Sequence, residues 1–381
     1  MSTPVQLLID QALNARARGD FLSAADLLVS AHRSEPNDPT IPLILAAVHR
    51  DAGSDEGEVE SLAIALAIDP YCWPALLARG QRLERIGKPK SAALVYKNVL
   101  RIAPPRAHWP DSYREAMLYA ERMARFHTEA IELKLLEALG PAAAGTNRWA
   151  EAASIMAGRT RAYHADCNQL TVPRLPAIPF FDRADFPWVP ALEAQTDTIR
   201  AELIDLLNAR RDDFTPYIAY RPGDPVNQWA ELNQSTRWST YKLWAGGERV
   251  EENLLACPKT AAALEAVDMA SIGGLCPNAM FSALAPHTEI PPHHGETNAR
   301  LVVHLPLIVP ENCSYRVGFE QRSWREGEVL IFDDTIEHTA RNDSDHLRVV
   351  LIFDVWNPLL STEERAIVQT MTRTMREFSA E

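Results

Sequence analysis

Gly19, Gly53 and Gly87 stand 34 residues apart, and Pro36, Pro70 and Pro104 repeat with the same spacing. A fixed period of this length describes one supersecondary unit that cannot bury its apolar face alone, so neighbouring units must stack. In each unit the glycine falls at the turn between two helices. The proline follows the second helix, at Glu35-Pro36, Asp69-Pro70 and Ala103-Pro104, where it cannot continue the helical ladder. Small residues (Ala12, Ala24, Ala31, Ala46, Ala65, Gly80 and Ala92) occupy the positions where paired helices approach, and Glu58 breaks that pattern in the middle unit. Residues 110–139 read as further helix, with Asp111 near its start and Gly140-Pro141 as its stop. A second helical stretch from Asn147 to about Tyr163 caps the stack.

The spacing resembles that of tetratricopeptide repeats, which implies an all-α domain over residues 1–170. Such a domain is a scaffold, and the resemblance adds a concave groove in which a protein or peptide substrate is engaged. A chain of 381 residues exceeds the usual size of one domain, so a second is expected.

Between Pro173 and Pro190 five prolines occur among Phe180, Phe181, Phe186 and Trp188. This stretch cannot be a regular helix, and its aromatics predict a connector packed onto a domain. One helix is predicted over Ala191–Ala209. Short apolar runs of strand length then follow at 279–285, 300–309, 314–319, 328–332 and 348–355, separated by turn residues. A β-barrel or double-sheet jelly roll over residues 171–381 fits this pattern.

Six of the eleven histidines (His287, His293, His294, His304, His338 and His346) fall between residues 287 and 346. Two imidazoles with a carboxylate, leaving other positions open, form the usual protein ligand set of a non-haem Fe(II) oxygenase, in the order His-x-Asp/Glu, a long gap, then His. His293 and His338 suit that order except that Gly295 stands at the carboxylate position. His294 with Glu296 completes the set in an alternative register. Arg348 brings a guanidinium fork able to hold a carboxylate bidentately. Alternation along a strand puts Arg300, Val302 and His304 on one face and Leu301, Val303 and Leu305 on the other. Asp333 and Asp334 suit a turn or a contact orienting His338, Trp324 and Trp356 suit the core, and His287 and His346 suit the surface.

Pro292-His293-His294-Gly295-Glu296-Thr297-Asn298, the run from Arg300 to Leu305, Trp324 with Gly327, Leu330 to His338, and Asp354 to Pro358 together resemble the aspartyl/asparaginyl β-hydroxylase family. So do Phe186 to Glu193 and Cys257 to Thr260 upstream. The resemblance covers roughly residues 173–365. It implies a double-stranded β-helix (cupin-like) oxygenase that uses Fe(II), O₂ and 2-oxoglutarate as co-substrate to hydroxylate the β-carbon of Asp or Asn residues in a protein or peptide. Carried over by residue, it makes His293 and His338 the metal ligands with Gly295 in place of a carboxylate. Arg348 then holds the distal carboxylate of 2-oxoglutarate, with Ser282 and His304 as further contacts. Val302 departs from the animal peptidyl enzymes, which carry an arginine there, and this puts acidic-substrate binding in question. Arg300, Arg316, Arg322 and Arg341 are the remaining candidate cations.

A formal charge of −13 and a pI near 5.4 argue against a dedicated nucleic-acid binder. Five cysteines without C-x-x-C spacing suit reduced thiols. The N-terminus lacks an export signal, and no apolar run reaches membrane-spanning length, so a cytoplasmic protein without membrane segments is expected. Two rivals remain open: an oxygenase acting on a small amino acid or a lipid, and a barrel without turnover whose repeats bind proteins.

Overall fold

The computed structural model describes residues 4–141 and 147–379. The chain divides into two compact units, Met1–Arg161 and Ala162–Glu381.

The first unit is built from antiparallel helix pairs: α1 (Pro4–Ala17) with α2 (Phe21–Ser34), α3 (Thr40–Asp51) with α4 (Asp55–Ile68), and α5 (Trp73–Arg85) with α6 (Pro89–Ile102). Gly19, Gly53 and Gly87 close the three intra-pair turns at φ of +79°, +75° and +73°, backbone that side chains with a Cβ rarely adopt. Ala12, Ala24, Ala31, Ala46, Ala65 and Ala92 are buried where helices meet. A Cβ on Gly80 would lie 2.3 Å from the ring of Tyr96, so the α5–α6 approach requires glycine. Glu58 is also buried, and its carboxylate is met by Arg85 from the following pair. The helix expected to 139 is α7 (Asp111–Leu139), while α8 (Asn147–Ala157) ends short of the expected Tyr163. Gly158, at φ +80°, stops it.

The division after Arg161 lies ahead of the 170/171 boundary expected from sequence. Residues 166–170 belong to the second unit because their backbone is tied to it: the Asp166 N–H donates to the Thr335 carbonyl at 2.9 Å, the Asn168 N–H to Gly295 at 3.0 Å and the Leu170 N–H to Glu296 at 3.1 Å.

Two antiparallel sheets form the second unit. The larger runs β1 (Thr215–Pro216), β2 (Trp238–Ala245), β4 (Ala279–Leu284), β11 (Arg348–Trp356), β6 (Arg300–Ile308) and β9 (Leu330–Phe332), with β3 (Glu248–Arg249) hung on β2. The smaller runs β5 (Thr288–His293), β10 (His338–Asn342), β7 (Cys313–Val317) and β8 (Glu320–Arg322). From β4 onward the strands alternate between the sheets, except that β7 and β8 form a hairpin within the smaller one, in the order of a double-stranded β-helix. Leu301, Val303, Leu305, Phe281, Leu351 and Phe353 turn outward. They pack under α9 (Val189–Glu193), α10 (Thr196–Ala209) and α12 (Pro258–Glu265), which follows α11 (Glu251–Ala256). The single helix expected over 191–209 is therefore two, broken where the Thr196 hydroxyl donates to the Glu193 carbonyl at 2.6 Å. The proline-rich connector is packed as expected. Phe180, Phe181 and Phe186 are buried, and the Phe181 N–H donates to Ile331 at 2.9 Å. The chain ends in α13 (Thr362–Ser379). No helix among the described residues is long and apolar enough to cross a membrane.

Candidate active site

The inner faces of the two sheets enclose a cavity of about 380 Å³, lined by His293, His338, His304, Ser282, Arg300 and Arg348 among others. Its size is that of a small-molecule site.

His293 ends β5 and His338 begins β10, and the two are direct cross-strand partners. Their rings lie 3.9 Å apart between centroids. Each Nδ1 meets a backbone carbonyl two residues earlier: Pro291 at 2.8 Å for His293, and Ile336 at 3.1 Å for His338. A carbonyl only accepts, so both rings carry their proton on Nδ1 and present the Nε2 lone pair, the arrangement that a metal ligand requires. Burial holds His293 below the ordinary imidazole range and His338 well below it, so both rings are neutral.

His304, buried on β6, has the opposite tautomer. Its Nδ1 accepts from the indole N–H of Trp324 at 3.2 Å. The proton must then sit on Nε2, so this ring offers the cavity a neutral donor; burial and the charge of Arg348 keep it well below the usual value. Trp324 also underlies Arg348, whose guanidinium carbon is 4.7 Å from the indole centroid. Arg348 is 1% exposed and has no ion pair among the described residues. Among the described residues its one hydrogen bond is a long one from Nη1 to the Ser282 carbonyl, 3.4 Å, and its Nε has no partner there. Burial pushes its pKa down to about 10, which still leaves it charged at neutral pH. The Ser282 hydroxyl takes the Trp238 indole N–H at 3.1 Å.

Arg300 is surrounded by carboxylate. Glu296 contacts it, Asp334 lies at 2.6 Å and Asp354 at 3.4 Å. Burial alone would lower its pKa, but the three acids hold it well above the ordinary value. Burial raises Asp334 to about 7 against the pull of Arg300. Asp334 also explains Gly295: a Cβ there would fall 2.0 Å from its Oδ2. The backbone N–H of Gly295 donates to the Asp334 carbonyl at 2.8 Å. The space beside the first histidine is thus filled by a carboxylate from the β9–β10 turn.

The expectation for the acidic pair holds for Asp333, whose Oδ1 accepts from the Thr335 amide at 3.0 Å and hydroxyl at 2.5 Å. Neither aspartate holds the His338 ring, which the Ile336 carbonyl orients instead. Glu296 is committed to Arg300, while His294, also on the cavity wall, turns its Nδ1 to the Thr335 carbonyl at 3.0 Å. Among the described residues no three His, Cys, Asp or Glu side chains gather as a ligand set. His287 is exposed beside Asp345, and His346 is exposed. None of the four candidate cations is free: Arg300 serves three acids, Arg316 pairs with Glu337, Arg322 with Glu320, and Arg341 with Glu289 and Asp343. Sequence reasoning missed Asp334, Trp238, Lys242 and Tyr315 as parts of the cavity and took Trp324 for a core anchor only.

The family model for aspartyl/asparaginyl beta-hydroxylases matches residues 193–358. An ornithine lipid ester-linked acyl 2-hydroxylase of Rhizobium tropici is 38% identical over 200 residues, which make up 52% of this chain and 67% of that protein. The aspartyl/asparaginyl beta-hydroxylase of Homo sapiens is 34% identical over 178 residues, 46% of this chain and 22% of that protein. The aspartate beta-hydroxylase domain-containing protein 2 of Homo sapiens is 34% identical over 198 residues, 51% of each chain. The chain belongs to the aspartyl/asparaginyl beta-hydroxylase family, a family of hydroxylases, although it spans only 22% and 51% of the two human relatives.

Proposed function

We propose that the protein is an Fe(II)- and 2-oxoglutarate-dependent oxygenase that hydroxylates an unactivated C–H bond. The observation that carries this reading is Arg348, a buried guanidinium without a counter-ion among the described residues, in the same cavity as two neutral imidazoles that present lone pairs. A buried, unpaired charge is costly unless an anion completes it. A dicarboxylate with one end on a metal supplies that anion at its other end.

His293 and His338 would hold the metal through Nε2, and Arg348, with Ser282 and His304, would hold the far carboxylate of 2-oxoglutarate. When bound, iron, O₂ and the keto acid supply the oxidant, inserting one oxygen atom into the C–H bond while 2-oxoglutarate becomes succinate and CO₂. The chain's own part is to orient. The carbonyls of Pro291 and Ile336 fix the imidazole tautomers, and Trp324 fixes that of His304 while stacking on Arg348. Asp334 pairs with Arg300 and takes up the space that a side chain at position 295 would need.

For the substrate, the first reading is an Asp or Asn side chain in a polypeptide, engaged by the repeats. A second, a lipid acyl chain, is favoured by the cavity wall. Val302, Met280 and Ile352 line it, and Arg300 is already taken by three carboxylates. The Rhizobium relative is named for acyl hydroxylation. Anaerobic titration with Fe(II) and 2-oxoglutarate tests the site: His293→Ala and His338→Ala lose the metal, and His294→Ala keeps it. Loss with His294→Ala but not His293→Ala would reverse the register, and absence of any binding by wild type would leave a barrel without turnover. Succinate release stimulated by Asp- or Asn-containing peptides, or by ornithine lipid, separates the two substrates.

A further inference from the structure

Tyr315 is a polar group that the site as read above leaves unused. It lies on β7, is 3% exposed, lines the cavity, and its hydroxyl has no hydrogen-bond partner among the described residues. Leaving a buried hydroxyl unmade is unfavourable, so such a group in a cavity wall points to a ligand. Its position says which ligand. On the smaller sheet Tyr315 pairs with Ala340, two residues along β10 from His338. Its ring centroid is 6.1 Å from His338, 5.2 Å from His304 and 5.4 Å from Trp324. Trp324 is the same indole that donates to His304 and underlies Arg348. Three donors therefore gather around one tryptophan: the Arg348 guanidinium, the His304 Nε2–H and the Tyr315 O–H. A phenol keeps its proton on oxygen at neutral pH, so the hydroxyl is available as a donor.

Resting on the oxygenase reading, we propose that Tyr315 donates its hydroxyl hydrogen to the distal carboxylate of 2-oxoglutarate, sharing that carboxylate with Arg348 and His304. The cavity then has a donor from the smaller sheet as well as from the larger one. This contact ties the co-substrate to both walls of the barrel.

Tyr315→Phe removes the hydroxyl and keeps the ring packing, so the test is calorimetric titration of 2-oxoglutarate into the full chain loaded with Mn(II), without oxygen. The expected result is a Kd about 10-fold above wild type, the effect of one hydrogen bond to a charged acceptor. The ligand-free variant should unfold at the same temperature as wild type or higher, because no internal bond has been lost. An unchanged Kd, with wild type binding normally, overturns the assignment of Tyr315 and leaves the oxygenase reading intact. A fall in ligand-free stability also overturns it, since the hydroxyl would then serve the fold. Failure of wild type to bind 2-oxoglutarate removes both.

Discussion

Replacing Arg348 by methionine separates what this residue does for the fold from what it does for a ligand. The side chain is 1% exposed and unpaired, so in the ligand-free protein it should be a net burden. Burial moves its pKa from 12.5 to about 10. At about 1.4 kcal/mol per unit this corresponds to roughly 3 kcal/mol of lost stability. The sign follows from linkage. The folded value lies below the unfolded one and the charged form is the acid form, so the penalty is fully present at neutral pH and fades only as pH rises from about 10 towards 12.5. Methionine removes the charge, fills similar space and forfeits the contact with the Trp324 ring, worth about 1 kcal/mol. The remaining gain of about 2 kcal/mol should raise the melting temperature of the ligand-free barrel by about 4–8 °C. The same change should weaken 2-oxoglutarate binding by about 100-fold or more, because charge-assisted bonds to a buried carboxylate are lost. Thermal unfolding without ligand and calorimetric titration on the Mn(II)-loaded protein read the two effects independently. A ligand-free Arg348→Met protein that melts below wild type, or one that binds the keto acid equally well, would refute the reasoning.

Two further substitutions probe the geometry. Gly295→Ala should cost about 1–3 kcal/mol in urea unfolding, since its Cβ meets the Asp334 carboxylate at 2.0 Å. In an Asp334→Ala background, which carries its own cost through the loss of a partner for Arg300, the same change should cost much less, and strictly additive costs would show that the two do not compete for the space. In the helical unit, Arg85→Ala strands the buried Glu58 carboxylate and should cost about 3 kcal/mol. Glu58→Ala releases a half-exposed arginine to water and should cost less than about 1 kcal/mol, so equal losses by circular dichroism would contradict the pairing.

The parts of the fold legible in the sequence were those written in local periods. The glycine and proline spacing located three helix pairs, and alternation along residues 300–305 separated the cavity face from the outer core because side chains on a strand have a period of two. The strands left unread lacked such a signal. Residues 288–293 carry Pro291 and Pro292, which argue against a strand, yet β5 is an edge of its sheet and tolerates missing donors there. Residues 338–342 hold too few apolar side chains to register, though all but Arg341 are buried. Long-range pairs were equally silent. Nothing near Glu58 in sequence announces Arg85, and nothing near Asp333 and Asp334 separates the one that closes a turn from the one that answers Arg300.

The cross-strand pairing of His293 with His338 changes what counts as distance along this chain. The intervening segment carries four strands and their loops, but the two rings need only the alignment of β5 against β10 to meet. Insertions in the turns after β6 or β8 should therefore leave the imidazole pair in place. Deleting one residue inside β5, ahead of His293, would turn that imidazole to the opposite side of the sheet and out into solvent, whereas His338 opens β10 and a deletion beyond it would flip only the residues that follow. The site is fragile to single-residue slips and indifferent to long detours, and any attempt to lengthen, cut or permute this barrel should be planned around those two short strands.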